Sequence, residues 1–126
     1  MKLDMDLVRE ILIFLEKKND RSICDKINLN IGDYTYEKIA YHLCRMAERN
    51  LIVYEASTST TNPIRLIEVF PFELTWEGHE FLATAYSNTN WQQAKKRVAD
   101  VTGAISFDLM KAVLIEMAKE HLGLKS

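Results

Sequence analysis

The sequence predicts an α+β fold that is mostly α, in which a winged-helix-like core of helix, strand, helix and β-hairpin precedes three C-terminal helices. Three observations predict this class. Residues 4–18 space their apolar side chains as an amphipathic helix does. Two β-rich runs, 51–56 and 64–70, flank the polar segment STSTTNP, as in a hairpin with a flexible tip. Helix capping signals then recur along the rest of the chain.

The segment between the first helix and the hairpin predicts a short strand and a second helix. The run INLNI at 27–31 alternates apolar and polar residues, which is typical of a strand that could join the hairpin. Thr35 is placed to cap the second helix, which we expect to run to about Arg49. This helix would occupy the position of a recognition helix, directly before the hairpin.

A glycine inside the helix after the hairpin requires a physical reason. We expect Pro71 to end the second strand and Thr75 to cap the helix that contains Gly78. A helical glycine costs about 1 kcal/mol relative to alanine. Gly78 lies on the buried side of its helix, so we expect it to permit a close approach of the helix backbone to a neighbouring element.

The C-terminal segment predicts two more helices. We expect a single domain over 1–126, with the winged-helix-like core in 1–86 and the helical extension in 87–126. Either Thr89 or Asn90 supplies the cap of the first helix of the extension.

The last helix, from Ser106 to Gly123, carries an apolar arc over well over half of its circumference. A surface helix normally needs an arc of roughly 100°, so part of this arc needs another partner. We expect a homodimer, and the candidate interface residues are Met110, Leu114 and Met117. The alternative is a helix sandwiched inside one chain.

Charge, cysteine content and missing motifs narrow the classes of function. The net charge of −2 gives no global attraction to nucleic acid or membrane, and no apolar run approaches the roughly 18 residues of a membrane span. Two cysteines and a start without a signal-peptide pattern favour the cytoplasm. The zinc motif HExxH fails because position 83 is alanine, and no nucleophile motif or phosphate loop occurs. We expect no catalytic residues, no metal and no cofactor.

The exposed arc of the second helix, with the hairpin beside it, is the leading candidate for a binding surface. The candidate DNA-binding residues are Thr35, Lys38, Tyr41, His42, Arg45, Arg49 and Arg65. Such donors could contact the phosphates and base edges of double-stranded DNA. Residues 36–49 hold three basic and two acidic residues, however, so a merely solvated helix face fits the pattern as well.

Four segments resemble known bacterial proteins. YHLCRMAERNLI at 41–52 is similar to the recognition helix and first wing strand of winged-helix regulators, with Asn50 where those proteins usually have glycine. LTWEGHEFL at 74–82 is similar to the start of the helix after the wing in the same regulators. With MDLVREIL and LMKAVLIEMAKEHLGL, these segments resemble an uncharacterised bacterial and prophage family, domain of unknown function 2513. The resemblance implies the fold and a genomic setting, and it implies no established activity.

Two hypotheses of function remain. The first is a dimeric DNA-binding regulator of phage or mobile-element origin, with the helix of residues 35–49 in the major groove and the hairpin tip on the DNA backbone. The second is a non-enzymatic module that binds an unknown protein partner through the winged-helix scaffold and the C-terminal helix. The acidic balance, the absence of a helix before the recognition helix and the wide C-terminal apolar arc favour the second hypothesis.

Overall fold

The computed structural model describes residues 1–25 and 28–124. Its elements in chain order are α1 (Met5–Glu16), α2 (Tyr36–Glu48), β1 (Ile52–Thr58), β2 (Leu66–Leu74), α3 (Trp76–Ala85), α4 (Asn88–Thr102) and α5 (Phe107–Leu122). The strands pair antiparallel as a two-stranded sheet. The predicted fold class is confirmed, since a mostly helical α+β chain places a hairpin after the second helix and three helices after the hairpin.

The chain divides into two compact units, Met1–His79 and Glu80–Ser126. The division falls within α3. The sequence-based division into a core over 1–86 and an extension over 87–126 stays a prediction.

The first unit has a core formed by α1, α2 and the hairpin. The Asp4 side chain caps α1 by accepting hydrogen bonds from the backbone N–H groups of Asp6 and Leu7. The buried apolar side chains of this core include Leu7, Ile11, Leu12, Leu15, Ile39, Leu43, Met46, Ile52, Val69 and Leu74. Full burial of such a side chain stabilises the fold by about 1.5–3 kcal/mol relative to leaving it exposed.

The predicted strand at 27–31 is wrong over residues 28–31, and its first position lies outside the described residues. Leu29 and Ile31 are buried while Asn28 and Asn30 are exposed, so the alternation in the sequence reflects burial alone. The side chains of Asp25 and Asn28 each accept a hydrogen bond from the other's backbone N–H, at 3.3 and 2.6 Å respectively. This local turn competes with strand pairing.

Pro71 does not end the second strand, contrary to the sequence-based prediction, because β2 continues to Leu74. The Pro71 carbonyl oxygen accepts a hydrogen bond from the Cys24 N–H at 2.8 Å, so the backbone of Pro71 points away from β1. The N–H that proline lacks would therefore take no part in the β1–β2 ladder. The register shifts between Val53 and Tyr54, so β2 carries an extra residue beside Pro71.

The predicted close contact at Gly78 is confirmed, and its partner is the backbone of Leu51. A Cβ atom at position 78 would overlap the Leu51 carbonyl oxygen and would lie 3.3 Å from Leu74 Cβ. That carbonyl also accepts the Thr75 N–H at 3.1 Å, and Thr75 caps α3 through its side chain, as expected. Asn50, directly before this contact, has φ 57°, the left-handed conformation expected of it.

In the second unit, α4 and α5 pack against each other. Phe81 meets the Trp91 ring edge-on, with centroids 6.3 Å apart, and the Phe107 ring at 4.7 Å. The cap of α4 is Ser87, two residues before the first predicted cap position. The predicted bounds of the last helix are confirmed, since Ser106 caps α5 and Gly123 follows its last residue.

The three residues predicted for a dimer interface on α5 are not at the surface of the chain. Met110, Leu114 and Met117 are 0, 1 and 2% exposed, so they belong to the core of one chain. They occupy one narrow stripe at helical spacing, whereas Leu109, Ile115 and Leu122 on the rest of α5 are exposed. The homodimer itself stays a prediction.

Candidate interaction surface

The outer face of α2 begins at Thr35, and the role of that residue is structural. The Thr35 hydroxyl accepts a hydrogen bond from the Lys38 N–H at 3.2 Å and so caps the helix, as predicted. One of the seven candidate DNA-binding side chains is thus engaged in forming the helix that was expected to present it.

Lys38 is committed to an ion pair with the first helix. Its Nζ lies 2.9 Å from Asp4 Oδ2 and 5.1 Å from the centroid of the Tyr34 ring. Although burial acts to raise the pKa of Asp4, the Lys38 hydrogen bond and charge and the N–H groups of Leu7 and Asp6 hold it below its usual value. The Lys38 charge is therefore largely compensated within the chain.

His42 is not a surface donor, which corrects its sequence-based assignment. Its side chain is 0% exposed. Nε2 accepts the Asp4 N–H at 2.8 Å, so the ring proton lies on Nδ1 and is donated to the Lys38 carbonyl oxygen at 2.7 Å. The imidazole thus links the start of α1 to α2 and cannot reach DNA in this conformation.

Tyr41 and Arg45 are half-buried neighbours on the helix face. The Arg45 guanidinium lies 5.3 Å from the Tyr41 ring centroid and 3.0 Å from the Glu48 carboxylate. Its Nε is buried and has no hydrogen-bond partner in the described part of the chain. Because this Nε is buried, an incoming acceptor could not reach it. Arg49, at the helix end, is exposed.

The hairpin tip is ordered by its own side chains. The Ser59 hydroxyl oxygen accepts the N–H groups of Thr61 and Asn62 at 3.2 and 3.3 Å, and Asn62 Oδ1 accepts the Ile64 N–H at 3.3 Å. These bonds order the tip locally, and the exposed apolar and basic side chains follow directly after it. Ile64 is 87% exposed, Arg65 is exposed, and Ile67 is 55% exposed.

A cleft of about 320 Å³ lies between the helix face and the hairpin tip. Its lining combines apolar, aromatic and charged side chains: Ala40, Tyr41, Cys44, Arg45, Glu48, Ile64, Arg65, Leu66 and Ile67. Of the candidate DNA-binding residues, the structure brings Tyr41, Arg45 and Arg65 together here. We call the cleft and the exposed Ile64 and Ile67 the tip surface.

One hydrogen bond fixes the hairpin relative to α2. The Tyr36 hydroxyl donates to the Glu68 carboxylate at 2.9 Å. Burial, together with this hydrogen bond and the Glu68 charge, raises the pKa of Tyr36 to about 12. This hydrogen bond thus links the two walls of the cleft, and neither of its residues lines the cleft.

Cys44 is the one thiol in the cleft lining, and its environment disfavours nucleophilic chemistry. It is 8% exposed. Burial raises the pKa of this thiol, which keeps it protonated. Among the described residues, no group of His, Cys, Asp and Glu side chains is arranged to hold a metal ion.

Sequence reasoning missed the apolar part of this surface. The sequence pattern assigns Ile64 and Ile67 to a strand, and the available signal was the position of Ile64 directly after Pro63, next to a polar tip. From the charges of residues 36–49, Glu48 is expected only to reduce the positive charge of the helix. In the structure it is the ion-pair partner of Arg45.

Comparison with known proteins places the chain in a family. The family model described as "Hypothetical protein (DUF2513)" matches residues 2–105. The chain belongs to the DUF2513 family. An uncharacterised protein of Haemophilus influenzae is 30% identical over 114 residues, covering 90% of this chain and 92% of the relative. No solved structure matches.

The DUF2513 assignment confirms the family resemblance, and the matched range contains three of the four segments, while LMKAVLIEMAKEHLGL at 109–124 lies beyond it. The family description assigns no activity. In the described part of the chain, no helix is both long and apolar enough to cross a membrane.

Proposed function

We propose that this DUF2513 protein is a non-enzymatic protein-interaction module that binds its partner at the tip surface. The observation that carries the proposal is the pairing of exposed Ile64 and Ile67 with a cleft whose charges are of both signs. Exposed apolar side chains rimmed by polar groups are typical of protein-binding sites.

The chemistry of the cleft defines the partner segment. Arg65 has no ion-pair partner within the described ranges, whereas Arg45 is already paired with Glu48. Arg65 can therefore bind a carboxylate, while Ile64 and Ile67 favour an apolar side chain. The expected partner is therefore a protein segment in which an acidic residue lies next to an apolar one.

The electrostatics of the same face argue against nucleic acid as the main ligand. Lys38 is paired with Asp4, Arg45 is paired with Glu48, and His42 is buried. Nucleic-acid affinity depends chiefly on cations that neutralise phosphates, and two of these cations already have a carboxylate in the chain.

Site-specific photocrosslinking tests the proposal. A photoreactive amino acid replaces Ile64 in the full chain, expressed in the bacterium that encodes it, and Val101 is the matched control, because the two are 87 and 84% exposed. We expect a discrete protein adduct from position 64 and none from position 101. Arg65→Glu should remove the adduct without unfolding the chain. Equal adducts at both positions, or none, would contradict the proposal.

Double-stranded DNA is the second candidate ligand for the tip surface. It is favoured by the order of a helix followed by a hairpin, and by Arg45 and Arg65 on opposite walls of one cleft, with Arg49 at the helix end. In the crosslinking experiment, a nuclease-sensitive adduct at position 64 would favour this candidate.

A further inference from the structure

The outer edge of β1 is a second surface, distinct from the tip surface. The N–H and C=O of one residue in an antiparallel strand point to the same side, and successive residues alternate. Pro71 points outward, because its carbonyl accepts the Cys24 N–H. Tyr54 lies opposite Pro71 and Ala56 opposite Val69. The backbone groups of Tyr54 and Ala56 therefore point away from β2.

The two edges of the sheet differ in whether another segment of the chain hydrogen-bonds to them. Lys18 and Cys24, which follow α1, lie along β2: Cys24 donates to the Pro71 carbonyl at 2.8 Å and Lys18 Nζ donates to the Phe72 carbonyl at 2.7 Å. Across residues 1–25 and 28–124, no hydrogen bond reaches the outward groups of Tyr54 or Ala56. An open edge of this kind is a template for another strand.

The side chains beside this edge define the sequence that would fit there. Val53 and Glu55 lie on one face of β1, since they are two residues apart. Val53, which is 39% exposed, lines a recess of about 250 Å³ with Arg21, Phe72 and Glu73. Glu55 is exposed and has no ion-pair partner in the described chain. Directly opposite cross-strand residues interact, so an apolar side chain suits Val53 and a basic one suits Glu55.

We propose that β1 accepts an extended segment of a partner protein as a third strand, with a basic residue opposite Glu55 and an apolar residue opposite Val53. If the segment runs antiparallel to β1, its sequence from the N-terminus is a basic residue, then any residue, then an apolar residue. A second copy of this chain is a poorer occupant. Symmetric pairing of two β1 strands about Tyr54, Glu55 or Ala56 would bring the two Glu55 carboxylates opposite or diagonal to each other.

This inference goes beyond the proposed function and does not rest on it. The edge uses backbone groups of β1, whereas the tip surface uses side chains of α2 and of residues 64–67. Binding at one surface can persist when binding at the other is lost, so single variants distinguish the two surfaces. Arg45→Glu alters the tip surface, and Ala56→Pro alters the edge.

The test is an NMR titration of the isotope-labelled full chain with a capped heptapeptide of threonine that carries lysine third and valine fifth. We expect amide exchange at Tyr54 and Ala56 to slow by about tenfold, because new hydrogen bonds protect these groups. Exchange at Glu55 and Ser57 should change little, because their N–H groups already face β2. An absence of new protection at Tyr54 and Ala56, or shifts confined to the cleft, would overturn the inference.

Charge reversal and an edge block supply the controls. A peptide with glutamate in place of lysine should bind about fivefold more weakly, and the Glu55→Lys variant should reverse that preference. Ala56→Pro should keep the fold, because the N–H it removes points outward as that of Pro71 would, and should lose peptide binding. If that variant does not fold, the wild-type exchange result and the Glu55→Lys reversal decide. Undiminished binding to a folded Ala56→Pro would contradict the inference, as would an unchanged preference in Glu55→Lys.

Discussion

The base and the tip of the hairpin differ in how fully their side chains and backbone groups contact the rest of the chain. At the base, Leu51 and Leu74 meet Gly78 so closely that no side chain fits between them, and Thr75 uses its hydroxyl in two hydrogen bonds. At the tip, Ile64 and Ile67 are exposed beside an open cleft. The difference indicates that stability is concentrated at the base, while the tip is left for a ligand.

The largest effect is expected from filling the space at the base. Gly78→Leu would drive its side chain into the Leu51 carbonyl, and overpacking costs typically about 1–3 kcal/mol even where flexible groups can yield. We expect a loss of at least about 3 kcal/mol, because a backbone group cannot yield. Urea unfolding measures it. An unchanged midpoint and slope would show that the base is not closely packed.

A smaller loss is expected from Thr75→Ala, also at the base. The hydroxyl donates to the Asn50 carbonyl at 2.6 Å and accepts the Gly78 N–H at 3.0 Å. Loss of such a cap and bond costs about 1–2 kcal/mol. Thr61→Ala is the matched control at the tip, where the hydroxyl hydrogen-bonds only Ser59 among the described residues. Equal losses in thermal unfolding would remove the distinction between base and tip.

Local signals in the sequence predicted several helix ends and two residues of the base. Thr75 at the base, and Thr35 and Gly123 elsewhere, were identified because caps depend on residues within one helical turn. Gly78 was identified because an unfavourable helical residue on a buried face implies a close contact. Its partner Leu51 was not identified, because that contact depends on how the chain folds back on itself.

The candidate site was less predictable, because its electrostatics are non-local. Helical periodicity predicts His42 to be a surface donor, yet its partner is the backbone of Asp4, 38 residues earlier. The ion pair between Lys38 and Asp4 spans a similar distance in sequence. Periodicity assigns a residue to a face of its own helix and cannot say what covers that face.

Removal of the Asp4–Lys38 ion pair tests whether Lys38 belongs to the packed part of the first unit. Asn can still cap α1, so Asp4→Asn should remove mainly the charge interaction, which is worth below about 1 kcal/mol for a partly exposed pair. Because the folded-state pKa of Asp4 is lowered from 3.8, its stabilisation is present above that value and is lost as the pH falls through the folded pKa.

Urea midpoints at neutral pH and near pH 3 measure this effect. The urea midpoint of the wild type should exceed that of Asp4→Asn at neutral pH, and the difference between the two midpoints should shrink on acidification below about pH 4. A difference that is absent at neutral pH, or that grows in acid, would mean that Lys38 is not held by Asp4 in solution.

The smallest effect on stability is expected at the tip. Ile64→Ser and Ile67→Ser should each change the free energy of unfolding by less than about 0.5 kcal/mol, because both side chains are exposed. Val69→Ser, on the same strand as Ile67, is the matched control, since Val69 is 2% exposed and the variant should lose much more stability. Losses at 64 or 67 comparable to that at 69 would show that the tip contributes to the core.

The central claim, that the tip surface binds protein rather than nucleic acid, is tested most directly by titrating a fluorescent random-sequence duplex with the full chain. At about 50 mM salt, even non-specific electrostatic binding should raise the anisotropy at micromolar protein. We expect no increase, because Lys38 and Arg45 are already paired and His42 is buried. Binding that weakens steeply with salt and disappears in Arg49→Ala and Arg65→Ala, both folded, would contradict the claim.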